Sequence, residues 1–281
     1  MDETPRCYRH PNRETLVSCS ECGRPICEEC MTFAPVGIRC PDHASVGAPR
    51  GGATRQVREA RRRAGSLEAP ATTVLVGINV LVYLITVFQG AGLSQPGGEL
   101  FQRGALVGLL VADGEWWRLV SAMFLHASVI HLAFNMLALY WLGSVVEQAI
   151  GTVRFLLIYF AAGLAGSAGA LLMSSAFDVT VGASGAIFGI MGALLILEYM
   201  TTGSLAGQAM TLIILNLALT FAIPNISIGG HLGGLVGGIA ATYVLARTRY
   251  VRPAAIGPAL VVAIGVASVV VAYVRVENYV F

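Results

Sequence analysis

The sequence predicts an all-α fold, a polytopic bundle of membrane helices with a small metal-binding domain at its N-terminus. Three observations predict it. Of the 281 residues, 56% are hydrophobic and only 12% charged, and the mean hydropathy is +0.71; an ordinary soluble domain carries roughly 25% charged residues. Seven apolar runs are long enough to be read as spans. All six cysteines and 11 of the 18 basic residues fall within the first 70 positions, so the composition changes abruptly near Ala71. The N-terminus, MDETPRCYRHP, has no apolar core, so a cleavable signal peptide is not expected and the N-terminal segment is expected to stay where it is made. The domain expectation is therefore 1–45 metal-binding, 46–70 a basic linker, 71–247 a membrane core, and 248–281 a further transmembrane helix and tail.

In the N-terminal part, cysteine and histidine form four pairs with two residues between the partners: Cys7 and His10, Cys19 and Cys22, Cys27 and Cys30, Cys40 and His43. Eight ligands suit two tetrahedral ions. Zinc fits best, because it takes thiolate and imidazole together and a two-residue spacer lets both members of a pair reach one ion from a tight knuckle. Fewer than about 45 residues bury little core, so metal binding would supply most of the folding free energy. Three disulfides are the competing reading, and they would leave two histidines in register by chance. The order of the pairs resembles the B-box class of zinc finger, which implies that the first and third pairs hold one ion and the second and fourth the other. Spacing alone also permits sequential pairing. With all eight ligands used, neither ion keeps an open position, so two structural zinc ions are expected and the module is read as a protein-binding element or a cap.

The linker RQVREARRRAG, with Arg55, Arg58, Arg61, Arg62 and Arg63, reads as a juxtamembrane arm touching anionic lipid, and no nucleic acid is expected as a partner. Spans sufficient for about 30 Å of hydrocarbon are expected at 72–89, 127–147, 153–174, 184–200, 209–223, 230–247 and 256–274. Arg154 and the trio Arg247, Arg249 and Arg252 fall in connections on the same side as this arm, so the positive-inside rule puts the N-terminus in the cytoplasm and the protein in the cell membrane. Trp116 and Trp117, in the long segment after the first span, read as an interfacial anchor. Gly229, Gly233 and Gly237, and likewise Gly230, Gly234 and Gly238, recur every fourth residue, which would let the sixth helix meet its neighbours at backbone distance.

Ionisable groups inside a membrane are expensive and are functional candidates by default. His126, His131 and His231 lie in or beside spans; His131 and Asn135, four apart, share a helix face. Ser184 opens the fourth span within GASG, and His231 opens the sixth within GGHLGG. With the N-terminus inside, helices two, four and six run in the same direction, so His131, Ser184 and His231 share one depth. A serine nucleophile, a histidine base and side-chain donors can meet there, in reach of the water that hydrolysis needs. Ser184 at a helix start also offers a backbone N–H without an intrahelical partner. Glu147 and Glu198 fall near the opposite helix ends, which implies a dyad, not a triad.

These residues resemble the rhomboid intramembrane serine proteases over about 71–247: WR at Trp117 and Arg118, HASVIHLAFN from His126 to Asn135, GASG around Ser184, and the glycine-flanked His231. The resemblance implies a six-helix core, with the seventh helix and the zinc module lying outside it. Ser184 would attack the scissile carbonyl and His231 would take its proton and return it to the leaving amine. The Ser184 N–H, His131 and Asn135 would stabilise the oxyanion. His126 would belong to a hydrogen-bond network around the cavity, and Phe188, where some members carry tyrosine, would pack on the base. Substrates would be single-span membrane proteins cut within or near their transmembrane segments, with no metal at the active site. A catalytically dead, client-binding relative would be expected to lack Ser184 or His231, and a proton-relay transporter would need paired acids at mid-membrane, which the sequence does not have.

Overall fold

The computed structural model describes residues 4–33, 37–44 and 68–279. The five linker arginines lie outside them. The chain divides into two compact units, Met1–Ser66 and Leu67–Phe281.

The first unit has little regular structure: strands β1 (Thr32–Phe33) and β2 (Ile38–Arg39) pair antiparallel, and one helical turn, α1 (Pro41–Ala44), follows. Its buried cluster consists of Ile26 and five of the six cysteines, Cys22 being exposed. Without the cysteines almost no apolar core is left, as expected of a unit that a metal must hold together.

The second unit is a helical bundle. Its elements are α2 (Pro70–Phe88), α3 (Glu99–Gly104), β3 (Leu106–Val107), α4 (Gly108–Ala112), α5 (Arg118–Ser121), α6 (Val129–Ala138), α7 (Ser144–Ile150), α8 (Thr152–Met173), β4 (Val179–Thr180), α9 (Ser184–Thr202), α10 (Gln208–Ala222), α11 (Ile228–Thr248) and α12 (Ile256–Glu277). A π-helical turn, Leu139–Gly143, joins α6 to α7 without breaking the helix, giving one span over Val129–Ile150. All seven predicted runs fall on helices, and six are long and apolar enough to cross a membrane. The seventh, α10, is apolar but has only 15 residues. The chain is a multi-pass membrane protein.

Central helix α8 packs against α9, α11 and α12, and its Phe155, Ile158 and Tyr159 are fully buried. The glycine spacing is used on both sides of α11. A Cβ at Gly229 would lie 2.1 Å from the Gly169 carbonyl oxygen of α8, and one at Gly234 would lie 1.9 Å from the Gly185 oxygen of α9. Contacts that short admit only hydrogen, so α11 is pressed backbone to backbone between α8 and α9. Outward-facing Ile130, Phe134, Leu137 and Val145 are exposed, as lipid-facing side chains are.

Two acids hold helix ends. Glu147 accepts from the Ala71 and Thr72 N–H groups (3.0 and 2.8 Å), from Thr72 Oγ1 (2.9 Å) and from Thr152 Oγ1 (2.7 Å). Glu198 accepts from the Gln208 and Ala209 N–H groups at 3.0 and 2.8 Å. Both carboxylates thus face the positive ends of helix dipoles and satisfy first-turn donors.

Candidate active site and metal centres

The eight predicted metal ligands gather as two sets, Cys7, His10, Cys27 and Cys30, and Cys19, Cys22, Cys40 and His43, each with its ligand atoms within 4.8 Å of one another. The pairs interleave, so sequential pairing is ruled out. His10 Nδ1 is 3.3 Å from both Cys27 Sγ and Cys30 Sγ, and Cys22 Sγ is 3.9 Å from Cys40 Sγ. A tetrahedron with metal–sulfur bonds of about 2.3 Å has edges near 3.7 Å, so the donors fit one ion per set. Disulfides, which need sulfurs about 2.05 Å apart, do not form, and all six thiols are free. Between the second set's last two ligands stands Asp42. The Tyr8 hydroxyl (2.9 Å), and then Arg9 and Arg24, hold its carboxyl below the usual value.

In the membrane unit, caps place the histidines. Ser128 caps α6 by accepting from the His131 N–H at 3.2 Å, and Ser227 caps α11 by accepting from the Gly230 N–H at 3.1 Å. Each cap sets its histidine in the first turn of a membrane helix. Helix α9 begins differently: its N-cap is Ala183, which has no side-chain oxygen. The first-turn N–H groups around Ser184 therefore remain open to an outside acceptor.

The approach to Ser184 is held from two sides. Strand β4 pairs antiparallel with β3, Leu106 opposite Thr180, and the Gly182 N–H donates to the Ala122 carbonyl at 2.9 Å. Gly182 has φ +124, and a Cβ there would lie 2.9 Å from His131 Nε2 and 3.6 Å from Ser184 Oγ. The glycine thus leaves open the space between the imidazole and the hydroxyl. His131 Nδ1 accepts the Ala127 N–H at 3.4 Å. That places the ring proton on Nε2, the atom facing Gly182 and Ser184.

His231 meets the same place from α11. A Cβ at Gly185, next to Ser184, would lie 3.3 Å from the carbonyl oxygen of Gly230, next to His231. One turn along α9 from Ser184, the Phe188 ring stacks on the imidazole with centroids 4.2 Å apart and planes 22° from parallel. Helices α6, α9 and α11 therefore bring His131, Ser184 and His231 together at their starts.

The remaining residues singled out in the sequence lie around this meeting point and in the loop before it. The Asn135 amide donates to the His131 carbonyl at 2.9 Å, within its own helix, and its buried Oδ1 has no protein partner among the described residues. His126 is buried, and its ring meets that of His131 edge-on, centroids 5.1 Å apart. Trp116 is half-buried and stacks on Tyr273 of α12 at 5.6 Å, whereas Trp117 is exposed and donates its indole N–H to the Arg103 carbonyl. Arg118 is buried, pairs with Glu115 at 2.5 Å, and donates to the Gln102 and Ala105 carbonyls at 2.9 and 2.6 Å. It staples the loop over the bundle. Sequence reasoning missed Thr220 of α10, whose Oγ1 lies 2.7 Å from His231 Nδ1.

The family model for the rhomboid domain matches residues 113–248, a stretch that contains Arg118, His126, His131, Asn135, Ser184, Thr220 and His231. The rhomboid protease GluP of Bacillus subtilis (strain 168) is 39% identical over 178 residues, 62% of this chain and 34% of GluP. YdcA of the same organism is 35% identical over 144 residues, 50% of this chain and 72% of YdcA. RHOMBOID-like protein 5 of Arabidopsis thaliana is 38% identical over 166 residues, 55% of this chain and 53% of that protein. The chain thus spans about a third of GluP, about half of the plant protein and most of the length of YdcA. The chain belongs to the rhomboid family.

Proposed function

We propose that the protein is an intramembrane serine endopeptidase that cuts single-span membrane proteins within or near their transmembrane segments by a Ser184–His231 dyad. The observation that carries this reading is the meeting of Ser184 and His231 at adjacent helix starts, the imidazole stacked on Phe188 at 4.2 Å. Ser184 Oγ attacks the scissile carbonyl carbon while His231 Nε2 takes the hydroxyl proton. The imidazolium then gives that proton to the leaving amine as the C–N bond breaks. Water, deprotonated by the same nitrogen, clears the acyl-enzyme and restores the serine. The oxyanion is met by the Ser184 N–H on the uncapped start of α9 and by His131 Nε2–H across Gly182. Asn135 joins them with the amide proton not committed to the His131 carbonyl. Each such donor is worth about 10² to 10³ in rate.

The two Cys/His sets hold structural zinc, with thiolate and imidazole as the supporting donor chemistry. The ions fix the B-box-like 1–45 module, which serves as a docking element for a protein partner, and 46–70 is its juxtamembrane arm. Residues 71–247 form the protease core and 248–281 add the seventh helix and tail. The arginine distribution supports a cell-membrane location with the N-terminus in the cytoplasm.

The test uses purified full-length protein in detergent with a panel of single-span substrates, comparing wild type with Ser184→Ala and His231→Ala. Cleavage by wild type that both variants lose is the expected result. Cleavage persisting in either variant assigns the activity to another nucleophile or a contaminant, and no cleavage by wild type moves the site toward client binding.

A further inference from the structure

The reading above gives the Thr220 contact with His231 no role, yet a general base must present one nitrogen unprotonated toward the serine. A ring held only by stacking can carry its proton on either nitrogen, and free imidazole side chains mildly favour Nε2–H, the form that cannot act as base here. The hydrogen bonds around Thr220 resolve this. Thr220 is buried on α10, on the inward face it shares with Ala209 and Ile213. Its Oγ1 lies 2.7 Å from the Asn216 carbonyl oxygen and 2.7 Å from His231 Nδ1.

A threonine hydroxyl has one proton to give and two lone pairs to offer. If that proton pointed at Nδ1, the hydroxyl and carbonyl oxygens would face each other at 2.7 Å with no hydrogen between them, in a low-dielectric interior where such a pair is costly. If the proton goes to the Asn216 carbonyl, Oγ1 accepts from Nδ1–H and both short contacts hold one proton each. We infer that Thr220 is the positioning residue of the dyad: it accepts from His231 Nδ1–H, donates to the Asn216 carbonyl, and thereby holds the imidazole in the tautomer whose Nε2 is free to take the Ser184 proton.

The arrangement does without charge what a buried carboxylate does in a triad. When His231 becomes imidazolium, Nδ1–H points into an oxygen whose own O–H dipole is aligned on a carbonyl, so the chain of dipoles stabilises the cation as it forms. A carboxylate at the same place would add the cost of an ionised group inside the membrane. Because Thr220 sits on α10 and His231 on α11, the base is set by a helix that carries neither the nucleophile nor the base.

This inference rests on the Ser184–His231 reading, so its test separates the two. Thr220→Val keeps the side-chain shape and removes the hydroxyl, and Thr220→Ser keeps the hydroxyl. The expected result for Thr220→Val is a loss of roughly 10- to 100-fold in kcat, the lower part of what general-base catalysis supplies, with KM little changed. The rate at which a fluorophosphonate labels Ser184 should fall in parallel, and Thr220→Ser should restore most of both. The tautomer is read independently of activity from imidazole ¹⁵N shifts in histidine-labelled protein, the His231 signals being those lost in His231→Ala. Nδ1–H in wild type and a shift toward Nε2–H in Thr220→Val is the expected pattern. Nε2–H in wild type overturns the inference whether or not the protein cleaves anything. Thr220→Val labelling at the wild-type rate while His231→Ala does not label also overturns it, and leaves the dyad standing. Should Thr220→Val not fold, the wild-type tautomer alone decides.

Discussion

The two units of this chain are held together by opposite means. In the N-terminal unit the buried cluster is five cysteines and one isoleucine, and the eight ligands converge on two points. In the membrane unit the tightest contacts are backbone against backbone, α11 on α8 and α9, spread over several turns. Lipid gives helices no hydrophobic reason to associate, so close packing and interhelical hydrogen bonds must do it. A short chain lacks the area for a core, and here two sets of Cys/His ligands that could each hold a metal ion stand in its place. The lesson is that stability is concentrated where the solvent offers too little burial, and distributed where burial has no value.

The sharpest way to break this comparison is to remove the metal. Chelation by a strong zinc ligand, or Cys27→Ser, should collapse the N-terminal unit, since structural zinc supplies roughly 10 kcal/mol or more in small domains of this kind. Two ions per chain should be released, measured by a colorimetric zinc assay, while the melting transition of the membrane unit in detergent stays where it was. A common transition for both units would contradict the division. Next in size is Gly234→Ala. Its Cβ would have to sit 1.9 Å from a backbone oxygen, so α11 must move off α9, at a cost of about 1–3 kcal/mol. The thermal midpoint of the membrane unit should drop and cleavage should fall with it, with zinc content unchanged. The smallest effect separates fold from chemistry within the membrane unit. Phe188→Tyr should leave the rate nearly intact, because the stack on His231 is kept. Phe188→Ala should lower kcat several-fold, in keeping with the 0.5–1.5 kcal/mol of an aromatic pair, and move the midpoint little.

Much of this was legible beforehand because the signals are local. Cysteine and histidine at two-residue spacing specify a metal site, apolar runs specify spans, and Ser184 and His231 stand out as polar groups at helix starts. The glycine stripes on α11 foretold its close approach. Connectivity of the ligand sets was not legible, since identical spacers allow either pairing; only the fold interleaves them. Thr220 was invisible for a different reason. A threonine in an apolar helix reads as a residue bonding its own i−4 carbonyl, which it does, and nothing local tells that its oxygen also faces a histidine eleven positions on. Glu147 and Glu198 were recognised as lying away from the site, but their work as caps for helices distant in sequence emerged only in three dimensions.

The length of α10 reaches beyond the protein into the surrounding lipid. Its 15 residues rise about 22 Å at 1.5 Å per residue, whereas the outer helix α12, with 22 residues, rises about 33 Å, against a hydrocarbon thickness near 30 Å. The rim that the molecule shows to the bilayer is therefore of unequal height, and the acyl chains beside α10 must compress or tilt, at fractions of a kcal/mol for each ångström. A foreign helix with a short or interrupted apolar stretch suffers less mismatch in that dimple than in flat membrane, so elasticity alone concentrates such helices along the edge of the molecule where Thr220 reaches the base.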